Sequence, residues 1–300
     1  MPQDNLVGVV VPVYAYMPER VDYLNLCLKS LARQEQPFVS IIVDDGSPLF
    51  NDVKPLVESY DERFRLFRRE RQSTDKKTAS NALNTGLSIL LDNSHGILRK
   101  DESIKAICYL HSDDMLPQDS LKKRFQSMSK ESPFVYGRNL LIDDYSRAFG
   151  YQGSRVGSFM HGYNFAYHTS FWETGFIRDL RNYVKHKHNQ KGLFDSEISI
   201  GEDRDVTLSS LELLKIHRMN SHFISAPTYY YRIHDNCLCK EIPGQDKNAD
   251  VQAVDAKHGT WRAGNYIPDN IKDVGRKLRT FVNGLSNNSG SFNADPLLVK

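Results

Sequence analysis

The sequence predicts an α/β fold, a mainly parallel sheet flanked by helices, on three observations. Residues 6–13 and 38–43 are apolar runs too continuous to keep a wet face, as in strands buried on both sides. Each run is followed by apolar residues at helical spacing or by a dense turn signal, the alternation that a parallel sheet requires. Polar clusters at Tyr14 to Tyr16, Asp44-Asp45 and Asp113-Asp114 stand just after strands, where such sheets bind ligands.

In order, the Val-rich first strand loses its ladder at Pro12, and Pro18 opens a helix where its missing N–H costs little. Val21, Leu24, Leu28 and Leu31 carry that helix, which fades over residues 34–37. The second strand stops at Asp44-Asp45-Gly46-Ser47-Pro48. A helix over 51–60, a short strand over 64–67, a helix over 79–91 and a fourth strand over 106–110 follow. The polar stretch 92–105 reads as an exposed loop. After Pro117, Leu121, Phe125 and Met128 mark a helix, and 134–136 a strand halted by Gly137. Beyond Gly150 the pattern turns irregular, aromatic and His-rich. A helix returns after Gly201, using Val206, Leu208, Leu211 and Leu214. Phe223-Ile224 and Tyr229-Tyr230-Tyr231 are strand-like, and from about Cys239 the chain is polar and partly loose.

Three hundred residues are enough to bury a core without disulfides or metal. Lys+Arg 39 against Asp+Glu 37 argues against nucleic-acid binding. No apolar stretch reaches the roughly 18 residues of a membrane span, which leaves peripheral membrane contact open. Cys27 and Cys108 sit in apolar runs, and Cys237-Leu238-Cys239 has the wrong spacing for zinc. This usage suits a reducing compartment, so a cytoplasmic location is expected. The basic run Arg63, Arg65, Arg68, Arg69, Arg71 reads as a solvated strand edge or, with Lys76 and Lys77, as a pocket for an anion.

Several clusters admit both a chemical and a structural reading. Adjacent carboxylates at Asp113 and Asp114 suit a hard divalent cation, or Asp114 caps the helix after Pro117. Asp44-Asp45 can make an Asx turn or accept hydrogen bonds from a base or ribose. Glu202-Asp203 is favoured by the helix dipole, and in a cleft could supply a general base. His234 ends a strand-like segment, where it could reach a metal or phosphate. The absence of phosphate-loop, G-x-G-x-x-G and G-x-S-x-G motifs removes the commonest nucleotide hydrolase, dehydrogenase and α/β-hydrolase readings.

Taken in order, these segments resemble glycosyltransferase family 2, inverting enzymes of the GT-A fold, a Rossmann-like sheet. The resemblance runs over about residues 6 to 236 and is carried by Val9-Val10-Val11-Pro12-Val13-Tyr14, Ile41-Ile42-Val43-Asp44-Asp45-Gly46-Ser47 and Asn84-Thr85-Gly86-Leu87. Further along, Tyr109-Leu110-His111-Ser112-Asp113-Asp114, Val135-Tyr136-Gly137, Gly201-Glu202-Asp203 and Tyr231-Arg232-Ile233-His234 complete it. It implies one GT-A domain over 1–238, with a nucleotide-sugar half 1–115, an acceptor half 116–238 and a C-terminal extension 239–300. The implied donor is a nucleotide-diphospho-sugar, UDP-sugar favoured, and the acceptor a glycan or other hydroxyl. Asp45 would hold the base beside the Pro12, Val13 and Tyr14 backbone, with Lys77 a further donor contact. Asp113 would contact ribose or metal-bound water. Asp114 would bind Mn²⁺ or Mg²⁺, with His234 a second ligand. Asp203 would deprotonate the acceptor hydroxyl, with Glu202 the fallback. Sugar faces stack on aromatic rings, so Trp172 and His161 are the acceptor-side candidates.

Two features depart from the family's pattern. His111 replaces the first acid of its metal-binding motif, and the 92–105 stretch lengthens the connection before it. Rival readings are a nucleotidyltransferase, which usually needs a Gly-rich basic loop after its first strand, and a non-catalytic binding module.

Overall fold

The computed structural model describes residues 5–71, 78–93, 95–99, 102–152, 167–198, 201–234 and 247–258. The elements run β1 (Leu6–Val13), α1 (Pro18–Ala32), β2 (Phe38–Asp44), α2 (Phe50–Glu58), β3 (Phe64–Arg68), α3 (Ser80–Asp92), β4 (Ile104–Tyr109), α4 (Ser120–Gln126), β5 (Phe134–Ile142) and β6 (Ala148–Gln152). A 3₁₀ turn at Tyr167–Thr169 precedes β7 (Phe171–Glu173), α5 (Thr174–His188), α6 (Glu202–His217), β8 (Ser221–Arg232) and α7 (Lys247–His258).

The strands form one mixed sheet in the order β3-β2-β1-β4-β7-β5-β6, with β8 added alongside β5. Pairs β1/β2, β1/β4, β2/β3 and β5/β8 are parallel, and β7 joins β4 to β5 antiparallel. Strand order reverses between β1 and β4, which opens a crevice beyond their carboxyl ends.

Side-chain alternation along the strands splits the core in two. Val7, Val9, Val11, Val13 and Ile42 pack with Leu24, Leu28 and Leu31 of α1 and Val53 and Val57 of α2. Val10, Val39, Ile41 and Val43 pack on the other face with Leu83, Leu87 and Leu90 of α3, and with Leu180 of α5 and Leu213 of α6. Both faces of the strands are covered, which explains why their sequences read as continuous apolar runs. Cys27 and Cys108 are buried free thiols, as expected.

Several local expectations need correction. Pro12 does not end the ladder with β2, since it pairs with Val43 in register. It ends pairing on the β4 side only, where the last bond runs from Leu110 N to Val10 O. Gly137 does not stop β5, which runs on to Ile142. A Cβ on Gly137 would lie 2.4 Å from Thr228 Oγ1, so the glycine lets β8 cross closely while the register shifts. The two aromatic segments near the chain's end are one strand, β8, with Pro227 inside it. The irregular stretch contains β6, β7 and α5, and the C-terminal extension contains α7. Among the described residues no helix is long and apolar enough to cross a membrane.

Candidate active site at the carboxyl ends of the strands

Three chain segments leave the sheet at the crevice: Tyr14 onward from β1, Asp45 onward from β2 and His111 onward from β4. The 3₁₀ turn, the first turn of α6 and the end of β8 meet there, His168 beside Asp203 and Tyr231, and His234 beside Asp113.

Asp113 stands at its centre. Its Oδ2 accepts from Arg20 Nη1 at 2.7 Å and lies 3.0 Å from His234 Nε2. Arg20 is buried in the first turn of α1, so helix α1 carries a guanidinium to the β4 terminus. Burial would raise the Asp113 carboxyl, but the His234 hydrogen bond and the Arg20 and imidazole charges hold it well below the usual carboxylate range. The carboxylate is therefore ionised, and its side chain keeps 21% of its exposure.

Asp114, expected from the resemblance to bind the metal, lies in a different environment. It is 1% exposed. Its Oδ1 accepts from Arg232 N at 2.7 Å and its Oδ2 from Tyr229 Oη at 2.8 Å. Burial and the neighbouring Asp113 charge push its carboxyl well up, against those two hydrogen bonds. Asp114 ties β4 to β8 with both oxygens and offers no open face to a cation. It does not cap a helix either, because α4 starts at Ser120 after Asp119. The residue opposite Asp113 is His234, 3% exposed, with a buried Nδ1 that has no hydrogen-bond partner. An ionised carboxylate facing an imidazole suits Mn²⁺ better than the oxygen-preferring Mg²⁺, so Asp113 and His234 are the residues that fit the divalent ion.

Asp203 reaches the same place from α6. Its Oδ1 accepts from Arg204 N at 2.7 Å, and its Oδ2 lies 3.2 Å from His168 Nδ1. His168 stacks on Tyr231 at 4.6 Å and 9°, and its ring meets His111 edge-on at 5.4 Å. Burial and the His168 charge push the His111 imidazole down to about 4, so it is neutral at pH 7. The charges of both Asp113 and Asp203 act on His111. Glu202 sits one residue before Asp203 in the first turn, partly buried.

Asp45 lies farther along the crevice, 5% exposed. It forms an ion pair with Arg69, and Arg71 Nη1 is 3.8 Å from its Oδ2. Arg71 lies over the Tyr14 ring at 4.8 Å. Tyr14 meets Tyr16 at 5.8 Å, and Arg20 lies over Tyr16 at 5.5 Å. A run of rings and guanidinium groups thus connects Asp45 to Asp113. Asp44 Oδ2 accepts from Ser47 N inside the turn after β2, and Asp45 faces the arginines.

Tyr14 is the exposed member of its segment, at 38%. Pro12 and Val13 are buried, and the Val13 carbonyl is taken by Asp45 N at 2.8 Å. Trp172 is corrected outright. It is 1% exposed in β7, stacked between Tyr109 and Phe134, and its Nε1 donates to Ser210 Oγ at 3.0 Å. No sugar face can reach it. Lys77 and His161 lie outside the described residues.

Arg20, His168 and Tyr229 complete the site without having been singled out for it, beside Tyr231 and Arg232 of the motif that ends in His234. The sequence held only faint signals for them: an arginine one turn into α1, and a His among aromatics. The Asn84 and Gly86 pair is architectural. Asn84 clasps the Phe194 backbone, donating from Nδ2 to its carbonyl at 2.7 Å and accepting its N–H at 3.0 Å.

The sequence matches the family description Glycosyl transferase family 2 over residues 8–188. The chain belongs to glycosyl transferase family 2. The match covers β1 through α5, and thus includes Asp45, Asp113 and Asp114 but stops before Asp203. Solved structures similar to this family member include S. aureus TarS. TarS 1-349 in complex with UDP-GlcNAc matches with TM-score 0.57 and 17% identity, over 84% of this chain and 66% of that one. TarS 1-349 in complex with UDP matches with TM-score 0.55 and 17% identity, over 95% of this chain and 72% of that one. Against the larger TarS structure the TM-score is 0.55 and the identity 18%, over 93% of this chain and only 43% of that one. This chain therefore spans less than half of that relative's length. At such identities the likeness is one of fold, and the fold is GT-A. No curated protein matches the sequence.

Proposed function

We propose that the chain transfers a sugar from a nucleotide-diphospho-sugar, with UDP as the nucleotide, to a hydroxyl acceptor with inversion at the anomeric carbon. The observation that carries this reading is the convergence of Asp113, His234 and Arg20 with His168 and Asp203 around His111 at the strand switch point. Family membership and a GT-A fold shared with a structure holding UDP-GlcNAc support the donor class.

In this reading the nucleotide lies along Tyr14, Arg71 and Asp45, and its diphosphate reaches Asp113. Arg20 and His234 supply positive or donor groups where charge develops on the leaving diphosphate. A divalent ion held by Asp113 and His234 would supply Lewis-acid stabilisation of that charge. Asp203 accepts the proton of the attacking hydroxyl as the new glycosidic bond forms. His168, stacked on Tyr231, brings Nδ1 to 3.2 Å from Asp203 without hydrogen-bond geometry, close enough to act on the carboxylate's charge. Asp203 comes from α6, whereas Asp113 and Arg20 come from the β4 terminus and α1.

Arg20 favours a second reading of the same site. Its guanidinium, 2.7 Å from Asp113, stands beside that carboxylate where a metal ion would sit, so the leaving diphosphate would meet an organic cation in place of a metal. One experiment separates the two and tests both. UDP-sugar hydrolysis and transfer are measured with Mn²⁺ and with EDTA. Turnover with Mn²⁺ that EDTA abolishes supports the metal-assisted reading, and turnover indifferent to EDTA supports Arg20. No turnover and no UDP binding under either condition overturns the function.

A further inference from the structure

A second polar cluster lies away from the crevice, where α7 docks on α5 and α6. Val254 of α7 packs on Leu208 and Ile198 and brings His258 against α6. His258 Nε2 is 2.8 Å from Asp205 Oδ1, and its Nδ1 is 3.0 Å from Glu212 Oε1. A neutral imidazole has one N–H, so it cannot donate to both carboxylates. Either His258 carries two protons, or something cationic stands between Nδ1 and Glu212.

His188 decides between these. Its side chain is 6% exposed, and its Nε2 is buried with no hydrogen-bond partner. That nitrogen points into the cluster, 3.8 Å from Glu212 Oε2, and its ring lies 5.1 Å from the His258 ring. A doubly protonated His258 leaves the His188 nitrogen without any role. The donor atoms of His188, Glu212 and His258 all lie within 4.8 Å of one another. Ligands of a tetrahedral zinc ion stand about 3.3 Å apart at zinc–ligand distances of about 2.0 to 2.1 Å, so small side-chain adjustments close the set.

The geometry points to a zinc-class metal site at His188, Glu212 and His258 that clips α7 to α5 and α6. Two imidazoles and one carboxylate suit Zn²⁺ better than the hard Mg²⁺. Asp205 behind His258 supplies the outer carboxylate that fixes a ligating imidazole's tautomer. Lys257 Nζ also donates to Asp205, at 2.9 Å, which keeps that acid ionised beside the site. Lys187 Nζ and Tyr183 Oη bind Glu212 Oε2, leaving Oε1 for the ion. Glu212 lies about 13 Å along α6 from Asp203 by helical rise, so this clip is separate from the donor crevice.

The test uses the full chain without a histidine tag, stripped with chelator, in the Asp113→Asn background so that donor-site ions are not counted. Zn²⁺ is titrated by calorimetry, and Co²⁺ is followed by visible absorption. One equivalent of Zn²⁺ is expected, with a tetrahedral Co²⁺ spectrum and a raised Tm. His188→Ala and His258→Ala should each weaken Zn²⁺ by at least ~100-fold, since even outer-shell changes cost ~10- to 100-fold. Circular dichroism checks that each variant is folded. The Co²⁺ spectrum of the parent chain decides the matter if a variant unfolds. No stoichiometric Zn²⁺, or equal binding by folded His188→Ala, overturns the site and leaves a doubly protonated His258 as the clasp. Neither outcome bears on sugar transfer, which the UDP-sugar assay reads separately.

Discussion

Asp113 and Asp114 are consecutive, yet their carboxyls are driven in opposite directions. Asp113 meets Arg20 and His234 and is held ionised, whereas Asp114 is sealed between Tyr229 and Arg232 N and pushed up. Their substitutions should separate accordingly. Asp113→Asn is expected to remove Mn²⁺ stimulation of UDP-sugar turnover, and to lower Tm as well because buried Arg20 loses its counter-charge. Asp114→Asn presents an amide N–H₂ to one of two donors and should cost about 1 to 3 kcal/mol of stability. Denaturant melts and Mn²⁺ titrations of both variants check this. Loss of Mn²⁺ response in a stable Asp114→Asn would return the metal role to Asp114.

The acceptor base gives a kinetic prediction. A positioned general base contributes about 10²- to 10⁴-fold, so Asp203→Asn should lower kcat by that order while UDP affinity holds. His168→Phe keeps a ring to stack on Tyr231 but loses the nitrogen beside Asp203. It should lower kcat less than Asp203→Asn does. Steady-state kinetics with calorimetric UDP binding decide the matter, and unchanged kcat in Asp203→Asn would move the base to Glu202.

His111 makes the metal-free protein acid-sensitive. Its imidazole titrates near 4 when folded and near 6.5 when unfolded. Above about pH 6.5 it is neutral in both states. As pH falls from there to about 4, only the unfolded chain takes up the proton, so stability is lost across that window. The loss is at most about 3 kcal/mol. Measured with EDTA, the stability difference between the parent and His111→Asn should narrow or reverse between pH 7 and pH 4. A difference constant with pH would show that His111 does not carry the effect.

What the sequence revealed and hid follows from physics. β1 and β2 were legible because strands covered on both faces need no alternation. α5 was obscured although Phe176, Ile177, Leu180 and Val184 hold helical spacing, because an aromatic stretch and Gly175 surround its start. β7 is three residues long, too short for any periodic signal. The acids of the crevice were legible as a set, since each follows a strand or opens a helix. Which of Asp113 and Asp114 faces the opening was not, because the turn after β4 and the β8 partner decide it, and the second is a tertiary fact. Trp172 misled for a related reason: an indole serves a core as well as a sugar site, and only the Ser210 contact tells them apart.

Gly86 supplies the last prediction. Helix α3 crosses the sheet so closely there that a Cβ would lie 2.4 Å from Val10 Cγ1 and 3.2 Å from Val43 Cγ2. Both valines belong to the packed core and cannot swing aside. Gly86→Ala gains helix propensity of up to about 1 kcal/mol but overpacks the core at a cost of about 1 to 3 kcal/mol, so net destabilisation is expected. If the Val10 methyl is the obstacle, Val10→Ala should relieve it. Val10→Ala alone opens a cavity and destabilises, but the double variant should be more stable than the two single effects added together. Urea melts of the four proteins complete the cycle. Strict additivity would mean that α3 shifts as a whole, and that the close crossing at Gly86 does not set the helix's distance from β1.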